Sequence, residues 1–201
     1  MSTDSEDIAA SVDEPDRFSE IFERHARAVG GYVRRRLGEN AVDDVLSETF
    51  LTAFRRRASF DLARDSARPW LLGIATRVMK RHRAQEAAQW RAFEHASAAA
   101  DVVDEGSEAG TDARLDASRA VRELSPRIAS LSRRDRDTLL LYAWGELTYE
   151  QIAGALGVPV GTVRSRLNRV RRKLAPPGSD GPTRLTWMAK EESDAAYGTS
   201  A

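Results

Sequence analysis

Apolar residues recur three and four positions apart along most of the chain, which is the period of a helix that buries one side. The repeat is clearest near the carboxyl end, where Val163, Leu167, Val170 and Leu174 share one narrow stripe. Alternating runs of β-branched residues, which are typical of half-buried strands, do not occur. The pattern therefore predicts an all-α protein.

A segment without helical periodicity divides the pattern, which predicts two small helical domains joined by a flexible acidic linker. Residues 17–93 are predicted to form the first domain and residues 115–175 the second. The linker, residues 94–114, is rich in Ala, Asp, Glu, Gly and Ser. Residues 1–16 are predicted to be a disordered acidic segment, and residues 176–201 a tail of undetermined order.

Helix starts and buried sides can be placed from capping residues and apolar spacing. Asn40 is predicted to cap a helix with Asp43 at its third position, and another helix is predicted to begin near Pro69. Ser132 and Asp135 fit a capping box that opens a helix of the second domain. The buried positions predicted in the first domain are Phe18, Ile21, Phe22, Val29, Val33, Val42, Val45, Leu46, Thr49, Phe50, Ala53, Phe54, Trp70, Leu71, Ile74, Ala75 and Val78.

Residues 148–174 are predicted to form two short helices joined by a tight turn. Thr148 followed by Gln151 fits a capping box at the start of the first helix. Gly157 can adopt the positive φ that reverses the chain, and Pro159 stands where a second helix begins. Together these signals predict a helix-turn-helix.

The second of these helices has six basic residues and no acidic one between Arg164 and Lys173. A basic run alone usually means a solvated face, but on a helix-turn-helix it indicates binding to DNA. Arginine can pair with guanine edges and asparagine with adenine edges. The expected DNA contacts are Arg164, Ser165, Asn168 and Arg169 for base reading and Arg171, Arg172 and Lys173 for phosphates, with Thr162 as a further DNA contact.

Charge and composition narrow the class of protein. Charged residues make up 31% of the chain with equal numbers of each sign, but the first sixteen residues hold six acids and no base. A chain whose acidic and basic residues lie in separate segments is a better indication of binding to nucleic acid than its net charge is. There are no cysteines, the acidic start is unlike a signal peptide, and residues 69–76 and 138–145 are too short to span a bilayer. A cytoplasmic protein without direct membrane insertion is expected.

Features of an enzyme are missing from the sequence. His25, His82 and His95 are scattered without the spacing of metal ligands, and no glycine-rich phosphate loop occurs. We therefore expect no catalytic residue, no metal site and no cofactor.

Three segments carry a resemblance to a known family. Residues 43–56 (DDVLSETFLTAFRR) and 69–83 (PWLLGIATRVMKRHR) resemble the core-binding and promoter-melting segments of bacterial RNA polymerase sigma factors, and residues 131–174 resemble their fourth region. The chain is most similar to the extracytoplasmic-function (ECF) group of the sigma-70 family. The resemblance implies promoter-specific initiation through minus-ten and minus-thirty-five elements. The implied partners are promoter DNA, the β′ clamp helices and β flap of core RNA polymerase, and an anti-sigma factor.

The resemblance also implies roles for individual residues. It places core polymerase contacts at Asp43, Asp44, Ser47, Glu48 and Leu51. It places minus-ten recognition and melting at Arg55, Arg56, Arg57, Phe60, Arg64, Arg68, Arg77, Lys80, Arg81 and Arg83. Phe60 is either a stacking surface for an unpaired base or a loop anchor in the core. Two positions depart from the family pattern: Thr76-Arg77 stands where Arg-Asn is common, and Ser47 stands where Gln is common.

An alternative from a different class stays open at this point. The last quarter of the chain also fits a stand-alone helix-turn-helix regulator with an N-terminal sensing or dimerisation domain. Such a regulator predicts dimeric binding to palindromic half-sites. A sigma factor predicts little DNA binding alone and promoter-specific transcription with core polymerase.

Overall fold

The computed structural model describes residues 2–80 and 127–175, and this part of the chain is helical without a strand. Its α-helices are α1 (Asp4–Ala10), α2 (Ser19–Leu37), α3 (Val42–Arg56), α4 (Arg68–Met79), α5 (Arg133–Ala143), α6 (Tyr149–Leu156) and α7 (Val160–Leu174). The predicted all-α class is confirmed. None of the described helices is long and apolar enough to cross a membrane. The predicted linker, the predicted tail, Arg81 and Arg83 lie outside the described residues.

Helices α2, α3 and α4 pack together as an N-terminal unit, with most of the predicted apolar positions buried between them. Phe22 was predicted to be buried, but its side chain is 44% exposed. It lies at the edge of the α2–α3 contact, where its ring meets Phe50 edge-on at 4.8 Å between ring centroids. The periodicity placed Phe22 on the correct side of α2, but the core ends beneath it.

The predicted Asn40 cap is wrong. A short 3₁₀ turn, Glu39–Ala41, connects α2 to α3, and α3 begins at Val42 with Ala41 in the capping position and no side-chain cap. Asn40 is exposed within that turn. The turn therefore shifts the cap position and the helix start by one residue relative to the prediction.

The acidic segment predicted to be disordered instead contains a helix. Thr3 and Glu6 form a reciprocal capping box at the start of α1. Asp4, Asp7 and Ile8 are buried, since the two carboxylates pair with basic residues of α2 and the isoleucine enters the core. Burial of paired acids stabilises this segment although its sequence lacks an apolar stripe.

Helices α5, α6 and α7 form a C-terminal unit that contains the helix-turn-helix. Thr148 and Gln151 form the predicted capping box of α6, and Gly157 adopts a left-handed conformation with φ 67° at its end. Helix α7 follows at Val160, and all four residues of its predicted apolar stripe are buried. Ser132 accepts the predicted bond from the Asp135 amide, but the reciprocal bond of a capping box is not formed.

The two units pack directly against each other through α4 and α6. At Gly73 the backbones approach so closely that an added Cβ would lie 2.5 Å from the Ala155 carbonyl oxygen. Arg77 donates to the same oxygen over 2.9 Å. Nearby, Arg36 and Asp137 form a buried ion pair at 2.8 Å. A continuous apolar core therefore joins the two units.

Candidate nucleic-acid and protein interfaces

Helix α7 presents a basic outer face opposite its buried stripe. With 100° between successive residues, Ser165, Asn168 and Arg172 point most directly away from that stripe. All three are exposed, as are Arg164 and Lys173, whereas Thr162 is half-buried near the start of α7. The amino end of a recognition helix usually contacts base edges. This geometry favours Arg164, Ser165 and Asn168 as readers and Arg172 and Lys173 as phosphate contacts.

Two predicted DNA contacts also hold α7 in place within its own unit. Arg169 forms an ion pair with the buried Asp135 carboxylate of α5 at 2.9 Å. Arg171 donates to the Tyr149 hydroxyl of α6 at 3.1 Å and to the Asn168 side chain at 3.0 Å. Arg171 lies on the flank of α7 that faces α6, whereas Arg169 is exposed and reaches Asp135 of α5 from the outer side of the helix.

An acidic stripe with an apolar end lies along the exposed side of α3. Asp44, Ser47, Glu48 and Leu51 are one or two turns apart, so they share one helix face. Leu51 is 48% exposed and lines a groove with the exposed Phe22. We call this surface, with the neighbouring rings of Phe18, Phe50 and Phe54, the α3 groove. Asp43 is exposed beside it.

The cations predicted to bind the minus-ten element fall into two groups. Arg55, Arg56 and Lys80 are exposed at the ends of α3 and α4. The remaining described cations have protein partners: Arg57 with the Ser11 and Phe54 carbonyls, Arg64 with Asp61, Arg68 with Glu146, and Arg77 with the Ala155 carbonyl. The second group is not withdrawn from solvent, since Arg77 is exposed and the Arg64–Asp61 and Arg68–Glu146 pairs are only partly buried.

The loop between α3 and α4, residues 57–67, is called the arginine loop here. Phe60 anchors it, because its side chain is 7% exposed and its ring packs on Trp70 at 5.0 Å. Of the two roles considered for Phe60, the structure supports the loop anchor. Arg57 adds a second anchor by stacking over the Phe54 ring at 4.0 Å. The loop is therefore held by aromatic packing at its start.

Thr76 and Arg77, which form one of the two departures from the family pattern, lie next to the contact between the units. The Thr76 hydroxyl is 3.1 Å from the Tyr32 hydroxyl, which accepts from Arg36 of the buried ion pair with Asp137. Burial raises the pKa of Tyr32, so its hydroxyl stays neutral within this network. Burial and the nearby charge of Arg56 lower the pKa of Arg77. Thr76 and Arg77 therefore sit in or beside polar contacts that connect the units, whereas Ser47, the other departure, lies on the exposed side of α3.

Metal chemistry finds no support in the part of the chain that the structure covers. Residues 2–80 and 127–175 contain no group of three or more His, Cys, Asp or Glu side chains that could hold a metal ion. His25 instead lies 2.7 Å from the buried Asp4 carboxylate.

Comparison with known proteins assigns the two units to one family. Residues 21–89 match the family described as Sigma-70 region 2, and residues 118–174 match Sigma-70, region 4. The ECF RNA polymerase sigma factor SigK of Mycobacterium tuberculosis is 29% identical over 163 residues, which cover 78% of this chain and 83% of SigK. SigC, an ECF RNA polymerase sigma factor of the same species, is 34% identical over 134 residues, which cover 67% of this chain and 68% of SigC.

A solved structure has the same arrangement of helices. CnrH, in complex with the cytosolic domain of CnrY, superposes with a TM-score of 0.58 and 25% identity, over 85% of this chain and 94% of the CnrH chain. The region 2 match contains most of α2–α4, and the region 4 match that follows it in the chain contains α5–α7. This chain belongs to the sigma-70 family of RNA polymerase sigma factors, in its ECF group.

Proposed function

We propose that the chain binds core RNA polymerase through the α3 groove and directs it to promoters by contacting a minus-ten and a minus-thirty-five element. The observation that carries this proposal is the pairing of two surfaces of different chemistry. One is acidic and apolar, which suits a protein partner, and the other is the basic outer face of α7, which suits DNA.

The α3 groove has the composition of a protein interface. The exposed Leu51 and Phe22 side chains line it, and Asp44 and Glu48 lie outside this lining, one or two turns from Leu51 on the same helix. Apolar anchors contribute most of the affinity of an interface, while charges at its rim orient the partner. A basic helical surface on the polymerase, such as the β′ clamp helices, complements this arrangement.

Promoter contact is assigned to two separate basic surfaces. Helix α7 enters the major groove of the minus-thirty-five element with Arg164, Ser165 and Asn168 toward the bases. Arg55, Arg56 and Lys80 hold phosphates of the opened minus-ten strand, with Arg81 and Arg83 following in the chain. Binding the open strand more tightly than the duplex lets the protein melt DNA without ATP.

Simultaneous contact with both elements requires the two units to separate. Elements centred about 25 base pairs apart lie roughly 85 Å apart along B-form DNA, at about 3.4 Å per base pair. In the described arrangement α4 and α6 are in direct contact. The chain between residues 80 and 127 is long enough to span such a distance, at roughly 3.3–3.6 Å per extended residue. We propose that the packed arrangement is the resting form and that polymerase binding opens it.

A second protein partner, an anti-sigma factor, is also proposed for this chain. Support comes from CnrH, which was solved in complex with the cytosolic domain of another protein. The α3 groove is the surface we assign to this partner, because its exposed apolar residues suit any protein that competes with polymerase. Competition between purified partners for the chain would test this assignment.

Variants of the α3 groove test the polymerase assignment. Asp44→Lys and Leu51→Ala should each weaken binding of the purified chain to core polymerase by about tenfold, which corresponds to about 1.4 kcal/mol. Glu20→Lys is the matched control, because Glu20 is an exposed acid on α2 that does not line the groove. Equal affinities for the groove variants and the control, measured by fluorescence anisotropy, would remove the groove from the interface.

A further inference from the structure

The arginine loop is held by α1 and its flanking residues as well as by its own aromatic anchors. We call residues 2–14, which include α1, the brace. The Ser5 hydroxyl donates to the Arg64 carbonyl at 2.8 Å, near the end of the loop. The Arg57 guanidinium donates to the Ser11 carbonyl at 2.9 Å, at the start of the loop. The brace therefore contacts the loop near both of its ends.

Asp4 makes the most direct of these contacts. Its carboxylate accepts from the Ala67 backbone amide at 2.7 Å and from the Ser66 hydroxyl at 3.2 Å. Ala67 is the residue that precedes α4 and makes no side-chain cap, while the adjacent Ser66 hydroxyl accepts from the Arg68 amide at 3.2 Å. A carboxylate at this place satisfies a free amide and complements the positive end of the helix dipole. Asp4 thus completes the start of α4 from 63 residues away, by accepting from the Ala67 amide that Ser66 does not reach.

Asp4 is itself fixed from the opposite side. Its other oxygen pairs with Arg24, and His25 lies 2.7 Å from the oxygen that caps α4. Arg24 also pairs with the fully buried Asp7 at 2.9 Å. These bonds come from α2, so the carboxylate joins α2 of the N-terminal unit to the point where the arginine loop becomes α4. A side chain with this many partners is held in one orientation, and its bonds to Ser66 and Ala67 fix the backbone at the end of the loop.

We propose that Asp4 is a positioning residue for the opened minus-ten strand: the brace fixes the arginine loop, and with it Arg55 and Arg56, which stand directly before the loop and hold phosphates of this strand. The inference rests on the proposed function, because Arg55 and Arg56 are assigned to the strand there. Asp4 itself is buried and does not touch DNA. Its effect on DNA is transmitted through the backbone at Ala67 and Arg64. If the brace only stabilised the fold, its loss would weaken strand binding and polymerase binding alike.

The test uses the full chain assembled with core polymerase. The probe is the single-stranded non-template segment of a promoter that the wild-type holoenzyme selects from a randomised library. Asp4→Asn keeps the shape of the side chain but loses its charge and one acceptor oxygen, so it cannot satisfy all its present donors. Ser5→Ala is a milder second variant, since it removes one bond to the loop. Asp13→Asn is the control, because Asp13 is an exposed acid of the same segment.

Asp4→Asn should bind the strand about tenfold more weakly, with unchanged affinity for core polymerase, and Ser5→Ala should show a smaller loss. Hydrogen exchange at Ala67 should accelerate in Asp4→Asn, while exchange in α5–α7 stays the same. Asp13→Asn should match the wild type in every measurement. If Asp4→Asn unfolds below the assay temperature, Ser5→Ala alone decides.

The proposal is overturned if the deciding variant binds the strand as the wild type does. It is also overturned if strand and polymerase affinities fall by the same factor, since that is the signature of a general loss of fold. A wild-type holoenzyme that selects no strand would instead contradict the proposed function, and with it the role of the brace.

Discussion

Replacing Gly73 with alanine should separate the two helical units. An alanine Cβ at this position would lie 2.5 Å from the Ala155 carbonyl oxygen and 3.0 Å from two further backbone atoms of that residue. These atoms belong to the α6 backbone, so no side chain can rotate to make room. Relief requires α4 and α6 to move apart, which also weakens the bond from Arg77 to the same carbonyl oxygen.

The expected size of the effect follows from the cost of overpacking. Forcing an extra methyl group into a close contact costs about 1–3 kcal/mol. If this cost falls on the contact between the units, the ratio of open to packed molecules rises about 5- to 150-fold. Alanine is also the better helix former by about 1 kcal/mol, so α4 itself should not be weakened.

The absence of cysteine allows the separation to be measured with two introduced labels. Spin labels are attached to cysteines introduced at Glu20 on α2 and Arg172 on α7, which are both exposed. Pulsed electron paramagnetic resonance then measures the distance between the two units. Gly31→Ala is the matched control, because a Cβ on that glycine of α2 meets nothing within 4 Å. A distance distribution for Gly73→Ala that matches the Gly31→Ala distribution would refute the reasoning about this contact.

Three further outcomes follow from the described contacts. Burial alone would raise the pKa of Asp4, but the Ala67 amide, Arg24 and His25 outweigh it and hold the pKa below the ordinary 3.8. The Asp4 carboxylate therefore stabilises the fold fully above pH 3.8, and this stabilisation is lost as the pH falls through the lower pKa of the folded state. Asp4→Asn lacks it at every pH, so the variant should unfold at a higher pH than the wild type in an acid titration followed by circular dichroism. Arg169→Ala should lower the free energy of unfolding of the C-terminal unit in urea by about 1–3 kcal/mol, because it leaves the buried Asp135 carboxylate without its partner. Arg164→Ala should change that free energy by less than about 0.5 kcal/mol but weaken binding to the minus-thirty-five element by about 1–3 kcal/mol. Equal stability of the two variants would contradict the assigned roles. Gly157→Ala should cost about 1–2 kcal/mol in the same assay, because alanine is strained at φ 67°, and an unchanged urea midpoint would count against that strain.

The helix-turn-helix could be predicted in detail because its signals are local. Capping by Thr148 and Gln151, chain reversal at Gly157 and the apolar stripe of α7 each depend on residues within a few turns of one another. Neighbouring residues on a helix fix one another's geometry through its period. The sequence therefore carried both the element and its orientation toward the core.

Contacts between distant residues were beyond the reach of sequence patterns. Helix α1 has few apolar residues and depends on Asp4 and Asp7 meeting Arg24, a pairing that no local period indicates. The commitment of Arg169 to Asp135 has the same origin, since only the packing of α7 on α5 brings them together. The approach at Gly73 depends on the placement of two units that the sequence describes separately.

Transcription reconstituted from the purified chain and core RNA polymerase tests the central claim most directly. Libraries of random DNA, transcribed with and without the chain, report which sequences support initiation. We expect chain-dependent transcripts from promoters that share two elements at a fixed spacing, and loss of preference at the upstream element in Arg164→Ala. No chain-dependent transcript, together with tight binding of the isolated chain as a dimer to palindromic DNA, would contradict it.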